Sequence, residues 1–338
     1  MSWDRIRGQD APRNTFTTAF DAGRLAHSYL LVGPDGVGKR LFARELAKAF
    51  LCERPPAKMT ACERCPACAQ VNVGTHPDLL FLRTPEDKHE LPVDEMRAFC
   101  AQIALKPTRG PRKIGIVEDA DDFNASSANS FLKTLEEPPQ GALLLLIGTS
   151  TDRQLSTILS RCQIVRFSPL SPADLKEVLA EQGIGDPTKL DRLAKLGAGS
   201  VTRALALDDD SIWQVRQKLL EGLMSPRPPF QQLAETWARF NEEAGKETAP
   251  QRLRTSLVLQ FLIEAVQNAV KLSLGAVVAE LDASEAPLLH AFANRIGTAG
   301  LLELLDALVE ADFHVERRVQ LILIVESVVA KFPRELSR

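Results

Sequence analysis

Cysteine is scarce in this sequence, and it contains neither a long apolar segment nor a strong excess of one charge. Six cysteines among 338 residues are too few for a disulfide scaffold, so a reducing compartment would keep them as thiols or metal ligands. The longest strongly apolar run, Ala142–Ile147, is far shorter than the ~20 residues needed to cross a bilayer. The N-terminus also has no apolar signal core. These features predict that the chain stays in the cytoplasm.

The charge is nearly balanced, with 41 Lys and Arg against 44 Asp and Glu and a formal net charge of −3. Residues 1–167 hold 22 basic and 20 acidic side chains, and residues 168–338 hold 19 and 24. Neither part is the strongly basic body expected of a stand-alone nucleic-acid binder. Contact with DNA is therefore expected only as one member of an assembly. The length allows about two or three globular domains of roughly 150 residues each.

The first 167 residues alternate short apolar strands with helical segments, which predicts an α/β domain built on a parallel sheet. Each strand is almost continuously apolar, as is typical of strands covered by helices on both faces. The predicted strands are Tyr29–Val32, Leu79–Leu82, Ile114–Val117, Leu143–Ile147 and Ile164–Phe167. The predicted helices are Leu41–Cys52, Asp94–Leu105 and Asn124–Glu137, the last with Asn124 as its N-cap.

A proline-rich joint, Ser168-Pro-Leu-Ser-Pro172, ends this domain. Cap residues then predict a small helical domain over residues 168–207, with helices beginning at Ser171-Pro172 and Asp186-Pro187. From residue 208 to 338 the sequence has only helical periodicity, which predicts a second, all-helical domain.

An apolar stripe in this last region repeats every four residues, at Leu253, Leu257, Phe261 and Ala265. Such a stripe usually belongs to the core of its own domain, and a surface for a partner protein is the alternative.

A glycine-rich loop, Gly33-Pro-Asp-Gly-Val-Gly-Lys39-Arg40, follows the first strand and precedes a helix. This is the context of a phosphate-binding loop, in which backbone N–H groups and a helix N-terminus surround phosphate oxygens and Lys39 neutralises them. A plain strand-to-helix turn with a surface lysine is the weaker interpretation.

The metal-binding part of this predicted site is altered at two places. Arg40 stands where a Ser or Thr hydroxyl would bind Mg²⁺, and a guanidinium has no acceptor for a metal. After the third strand, Glu118-Asp119 inverts the usual Asp-Glu order. We therefore expect a nucleotide fold that has lost hydrolysis, and the sequence leaves open whether its loop still binds ATP or ADP. The candidate nucleotide-site residues are Gly33, Gly36, Gly38, Lys39, Arg40, Glu118, Asp119 and Thr149.

Four of the cysteines form a C-x9-C-x2-C-x2-C pattern over residues 52–68. Four thiolates with this spacing favour a closed, structural Zn²⁺ site over free thiols in a cysteine-rich loop. The predicted ligands are Cys52, Cys62, Cys65 and Cys68. Cys100 and Cys162 lie outside this set, and each is predicted to be a packed thiol rather than a nucleophile.

Two groups of cations remain open to interpretation. Ser160-Arg161-Cys162 follows a short polar segment, and Arg161 could either make a surface salt bridge or reach a nucleotide on a neighbouring subunit. Composition alone favours the salt bridge. Lys106-Pro-Thr-Arg109-Gly-Pro-Arg112-Lys113 could face DNA phosphates, although a solvated loop is the stronger interpretation.

Taken together, several segments resemble the AAA+ clamp-loader family of bacterial DNA polymerase III, most closely its delta-prime subunits. The resemblance covers roughly residues 25–207 and is far more specific than any one motif. It rests on the phosphate loop, the four cysteines, and the segments His27–Pro34, Gly74–Asp78, Ala128–Pro139, Thr157–Cys162 and, more loosely, Gly199–Leu205.

The resemblance implies an AAA+ sheet with helices on both faces, a small helical lid and a C-terminal helical oligomerisation domain. It implies that Arg161, within Ser160-Arg161-Cys162, acts in trans on ATP held by an adjacent motor subunit. It further implies motor and delta-type subunits, a sliding clamp and primer–template DNA as partners within a polymerase holoenzyme. Thr202 stands where the ATPase relatives carry a second-sensor arginine, which separates this chain from the motor subunits.

Three functions compete at this point. The preferred one is a non-hydrolysing clamp-loader subunit, without ATPase or polymerase activity of its own. The first alternative is the ATP-hydrolysing motor subunit of the same machine, which would carry Ser or Thr at position 40. A phosphate-loop kinase for a small metabolite is the third, but the sequence offers no second substrate pocket for it.

Overall fold

The structure is a computed structural model that describes residues 2–85, 88, 90–245, 248–276, 278, 285–317 and 319–336. These residues divide into two compact units, 1–205 and 206–338. No helix within the described ranges has the length and apolar content needed to span a bilayer.

The first unit is built on a five-stranded sheet in the order β2-β3-β4-β1-β5, with every neighbouring pair parallel. In the centre, Leu30 of β1 is in register with Leu146 of β4, and Leu31 with Val165 of β5. The strands are β1 Ser28–Val32, β2 Leu79–Leu82, β3 Lys113–Val117, β4 Ala142–Gly148 and β5 Gln163–Arg166. All five predicted strands are confirmed to within a residue at each end.

Helices cover both faces of this sheet, as parallel strands require. On one face Phe16 and Phe42 pack against the strands, and on the other Phe99 and Phe131 do so. The predicted α/β fold, a parallel sheet with helices on both faces, is therefore confirmed. The helices of this unit are α1 Asp10–Asp21, α2 Lys39–Leu51, α3 Pro66–Asn72, α4 Val93–Ile103, α5 Ala125–Glu136, α6 Ser156–Leu159, α7 Pro172–Glu181, α8 Pro187–Leu196 and α9 Val201–Ala206.

The predicted caps are present at the starts of three helices. Asn124 and Ser127 form a reciprocal capping box at the start of α5, and the side chains of Ser171 and Asp186 cap α7 and α8. One start differs, because α2 begins at Lys39 rather than at the predicted Leu41. Gly38, with a φ of +99°, lets the loop turn directly into the helix.

The second unit is helical in its described part. Its helices are α10 Asp210–Leu223, α11 Phe230–Glu242, α12 Thr248–Ser273, α13 Ala286–Glu316 and α14 Leu321–Leu336. Leu257, Phe261 and Ala265 of the predicted stripe are buried, and Leu253 is half-buried. The interpretation of this stripe as core is therefore confirmed.

Candidate functional site

The glycine-rich loop lies between β1 and α2, at the carboxyl ends of the central strands. Lys39, the first residue of α2, is almost fully buried, and its Nζ donates to the carbonyls of Gly33 and, at 2.7 Å, Pro34. Burial lowers the pKa of Lys39, while the nearby carboxylates of Asp35 and Asp121 oppose that shift. The lysine therefore folds back on the loop, in a position from which it can turn to a phosphate.

The phosphate loop is also hydrogen-bonded to the start of α9. Val201 N–H donates to Gly36 O at 2.9 Å, at the start of α9. A Cβ at Gly36 would lie only 2.3 Å from Ser200 Oγ and 2.8 Å from the backbone nitrogen of Thr202. The segment that contains Thr202, the predicted place of a missing second-sensor arginine, thus presses directly on the phosphate loop.

Arg40 lies against the two acidic residues that follow β3. Its Nη2 donates to Asp119 Oδ1 at 2.9 Å, and its Nε lies 3.6 Å from Glu118 Oε2. Asp119 is further fixed by the backbone N–H of Thr84, at 3.1 Å from Oδ2. The structure thus joins the three residues that the sequence marked as altered, with the guanidinium satisfying the two carboxylates.

Thr149 follows β4 on the same edge of the sheet. Its backbone N–H and its hydroxyl both donate to Asp121 Oδ2, at 2.8 and 2.7 Å, and Gln154 Nε2 donates to the other carboxylate oxygen. Asp121 therefore holds Thr149 in place. Neither Asp121 nor Gln154 was predicted as a site residue, because each lies in a polar run without a motif spacing.

Gln9 was also missed. Its side chain is almost fully buried, and its Nε2 donates to Ser168 O at 2.8 Å and to Val37 O at 3.3 Å. It connects the N-terminal segment to the phosphate loop and to the end of β5. A lone glutamine in the sequence gives no signal for such a contact.

Arg161 lies just after α6, and its side chain is 30% exposed. Its Nε donates to Glu136 Oε1 at 2.9 Å and its Nη1 donates to Thr157 O and Ser160 Oγ, each at 3.0 Å. Burial raises the pKa of the neighbouring Cys162 thiol to about 12, so this cysteine is not a nucleophile at neutral pH. The structure thus contains the salt bridge that composition favoured, while the arginine stays at the surface.

The four predicted metal ligands lie together, with their sulfur atoms all within 4.8 Å of one another. The Sγ atoms of Cys52 and Cys65 are 4.0 Å apart, as are those of Cys62 and Cys68. A tetrahedral Zn²⁺ with Zn–S bonds near 2.3 Å needs sulfur–sulfur edges of about 3.8 Å. The four thiols therefore fit a tetrahedral zinc site.

The environment of the cysteines favours a thiolate at Cys62. Backbone N–H groups of Cys62, Cys65 and Cys68 point at sulfur atoms 3.3–3.4 Å away. The backbone N–H of Arg64 contributes most to lowering the pKa of Cys62 to about 6, whereas burial raises that of Cys68. Metal ligation requires deprotonated thiols, so at least one ligand is ready at neutral pH.

A buried lysine attaches this cysteine module to α2. Lys48 is 1% exposed, and its Nζ donates to Glu45 of the same helix at 2.9 Å. It also donates to Glu63, within the cysteine loop, and to Asn72, the last residue of α3, both at 3.0 Å. The module is thereby fixed to the helix that begins at the phosphate loop.

Three of the four cations of the basic loop are engaged within the protein, and the fourth, Lys106, is exposed. Arg109 lies 3.1 Å from Glu53, the guanidinium of Arg112 stacks over the ring of Phe50, and Lys113 is buried. The loop backbone is held by Asp78, whose carboxylate accepts N–H bonds from residues 108–110 at 2.6–2.8 Å. These contacts favour a structural loop over a DNA-binding one.

Comparisons with known proteins identify the family of this chain. Residues 8–171 match the family described as "DNA polymerase III, delta subunit". The chain is 37% identical over 217 residues to the DNA polymerase III subunit delta' of Pseudomonas aeruginosa, a match that covers 63% of this chain and 66% of that relative. It is 30% identical over 235 residues to the delta' subunit of Escherichia coli, covering 70% and 69%. The chain thus matches about two thirds of the length of these relatives.

The chain is also similar to other subunits of DNA polymerase III. The tau subunit of Escherichia coli is 32% identical over 212 residues, which cover 61% of this chain and 32% of that protein. A gamma subunit-related protein of Thermotoga maritima covers 96% of this chain and 99% of its own, with 17% identity and a TM-score of 0.47. The family match over residues 8–171 spans both the phosphate loop and the cysteine module. The chain belongs to the DNA polymerase III delta-prime family.

Proposed function

We propose that this chain is a non-hydrolysing clamp-loader subunit that supplies Arg161 to the ATP site of a neighbouring motor subunit. The observation that carries this proposal is the ion pair of Arg40 with Asp119, reinforced by Glu118. A metal in that corner would have to displace a guanidinium that already neutralises both carboxylates. Magnesium-dependent attack on a bound triphosphate is therefore not expected here.

The same proposal assigns a role to each region of the chain. Residues 1–167 form the AAA+ domain with the zinc insertion at 52–68, residues 168–207 form the lid, and residues 208–338 form the collar. The collar would hold the chain in a hetero-pentamer with motor and delta-type subunits. That assembly would open a sliding clamp and close it around primer–template DNA.

ATP or ADP is the ligand class that suits the phosphate loop. Lys39 and the backbone of Gly33–Gly38 would bind the phosphates, with Arg40 supplying positive charge in place of a metal. The packing of the Ser200–Thr202 segment on Gly36 limits the space at the loop, so we expect weak binding.

Zn²⁺ is the metal ion that we propose for the cysteine module. Cys52, Cys62, Cys65 and Cys68 supply four sulfur ligands at suitable mutual distances, which leaves no open position for catalysis. The metal would hold together a segment with little apolar core of its own, between α2 and α3.

The motor subunit of the same machine is the second candidate, favoured by the tau relatives. An active ATPase needs a hydroxyl ligand for Mg²⁺ after the loop lysine, and position 40 is Arg. The backbone N–H and the hydroxyl of Thr149 also both donate to Asp121, so this hydroxyl already has a partner within the chain.

The trans role of Arg161 is tested in a reconstituted clamp loader in which only the ATP site beside this subunit is competent. Arg161→Ala should leave assembly intact but lower DNA-stimulated turnover at that site by about 10³-fold or more. Arg166→Ala, which removes another exposed arginine on β5, is the matched control and should retain activity. Normal turnover with Arg161→Ala would contradict the proposal.

A further inference from the structure

We propose that Glu136 is a positioning residue that fixes the guanidinium of Arg161 for its contact with a neighbouring subunit's phosphates. This inference rests on the proposed function of Arg161 and adds the group that orients it. Glu136 is the last residue of α5, and Arg161 follows the short helix α6.

The guanidinium is held on two sides. Nε and Nη2 of Arg161 both donate to Glu136 Oε1, and Nη1 donates to Thr157 O and Ser160 Oγ. Arginine has five N–H donors in a rigid plane, so these four bonds leave one N–H, on Nη2. The plane and direction of the remaining donor are thereby set before any phosphate arrives.

Glu136 itself stands on a rigid support. The carbonyl of Leu135, one residue earlier, accepts a hydrogen bond of 2.9 Å from His27 Nε2, just before β1. Leu135 and Phe131 bury their side chains against the sheet, and the capping box at Asn124 closes the other end of α5. The position of the guanidinium is therefore determined by the sheet, through α5 and Glu136.

Positioning matters because Arg161 is a long, partly exposed side chain. Without Glu136, its Nε edge would lose its partner, and the side chain would have to be ordered again at each encounter with a phosphate. The opposite role, in which the carboxylate sequesters the arginine, is less consistent with the geometry. The side chain of Glu136 is 49% exposed and one Nη2 donor remains available, so a more highly charged phosphate can share the guanidinium.

The test uses the reconstituted clamp loader with a single competent ATP site beside this subunit. We compare Glu136→Gln, Arg161→Ala and the double variant, with Glu137→Gln as the matched control for an adjacent exposed carboxylate. Glu136→Gln should lower kcat on the order of tenfold and change the KM for ATP little. Glu137→Gln should match the wild type. The double variant should be no slower than Arg161→Ala alone, because Glu136 acts through the arginine.

The outcomes separate the two proposals. If Arg161→Ala is slow while Glu136→Gln is unchanged or faster, the positioning role is wrong and the trans arginine stands. If Arg161→Ala has no effect, the proposed function itself fails, and the positioning role with it. Two other results would also overturn the inference: a double variant that is slower than Arg161→Ala, or a Glu136→Gln subunit that no longer assembles. Either result would show that Glu136 has an effect that does not depend on Arg161.

Discussion

Arg40 Nη2 lies 2.9 Å from Asp119 Oδ1, so a permanent cation of the chain stands where the phosphate-loop pattern would place a hydroxyl ligand for a metal. A guanidinium stays protonated at any physiological pH and accepts no hydrogen bond. The pair therefore neutralises the carboxylate without providing a metal ligand. The proposal of a non-hydrolysing subunit depends on this relationship.

The same pair should contribute little to stability. Arg40 is 63% exposed, and exposed ion pairs are worth about 0–1 kcal/mol because water and salt screen them. We expect Arg40→Ala to change the free energy of unfolding in urea by less than about 1 kcal/mol. A much larger loss would mean that the arginine is a structural element of the fold.

Gly36 and Gly38 provide a matched pair for the contact between the phosphate loop and α9. Both have a positive φ, of +76° and +99°, so alanine at either position costs about 1–2 kcal/mol of backbone strain. Only at Gly36 would the added Cβ also collide with Ser200 and Thr202; at Gly38 no atom of the described residues lies within 4 Å of it. We expect Gly36→Ala to be more destabilising than Gly38→Ala by about 1–3 kcal/mol in urea unfolding.

Equal losses for the two alanine variants would show that the Ser200–Thr202 segment does not press on the loop in solution. The comparison removes the backbone effect common to both glycines, so the difference reports the contact alone.

The sheet and its helices could be predicted from the sequence because each element carries a strong local signal. Strands such as Leu143–Ile147 are continuously apolar, and Asn124 is a recognisable N-cap. The start of α2 was misplaced by two residues, because the positive φ of Gly38 is a property of the folded loop. Periodicity reports where apolar side chains recur and carries little information about the first residue of a helix.

The candidate site was predicted only in part, for a similar reason. Arg40 and the four cysteines were found because their spacing identifies their chemistry. Three other residues make their contacts with partners that are distant in the sequence. Asp121 contacts Thr149, 28 positions away, Glu136 contacts Arg161, 25 positions away, and Lys48 contacts Glu63, 15 positions away. A single acidic or basic residue in a polar segment does not indicate which distant side chain it will meet.

The zinc proposal is tested by metal analysis of the purified chain. We expect one Zn²⁺ per chain, since the four sulfur atoms form one closed set. Cys62→Ser should lose the metal and lower the Tm, whereas Cys100→Ser, outside the set, should retain it. A metal-free wild-type protein, purified without chelators and with reduced thiols, would contradict the assignment.

Asp78 should stabilise the basic loop in a pH-dependent way. Burial opposes its charge, but the backbone N–H groups of residues 110, 108 and 109 outweigh burial and lower the pKa of Asp78 below its ordinary 3.8. A lowered folded pKa gives stability that is present above the unfolded value and is lost as the pH falls through the folded value. We expect Asp78→Asn to cost about 1–3 kcal/mol in urea unfolding at pH 7.

The difference in unfolding free energy between wild type and Asp78→Asn should narrow below about pH 4, where the Asp78 carboxyl of the unfolded chain protonates before that of the folded chain. Asp152→Asn, at an exposed loop position, is the control and should have no comparable effect. A pH-independent difference would mean that the hydrogen bonds of Asp78 do not depend on its charge.

The ATPase activity of the isolated chain tests the central claim most directly. The purified protein is incubated with ATP and Mg²⁺, and phosphate release is compared with that of Lys39→Ala, which lacks the loop lysine. Because Arg40 neutralises Glu118 and Asp119, we predict no phosphate release above the Lys39→Ala background, with or without primed DNA. Robust turnover that requires Mg²⁺ and disappears in Lys39→Ala would contradict the account.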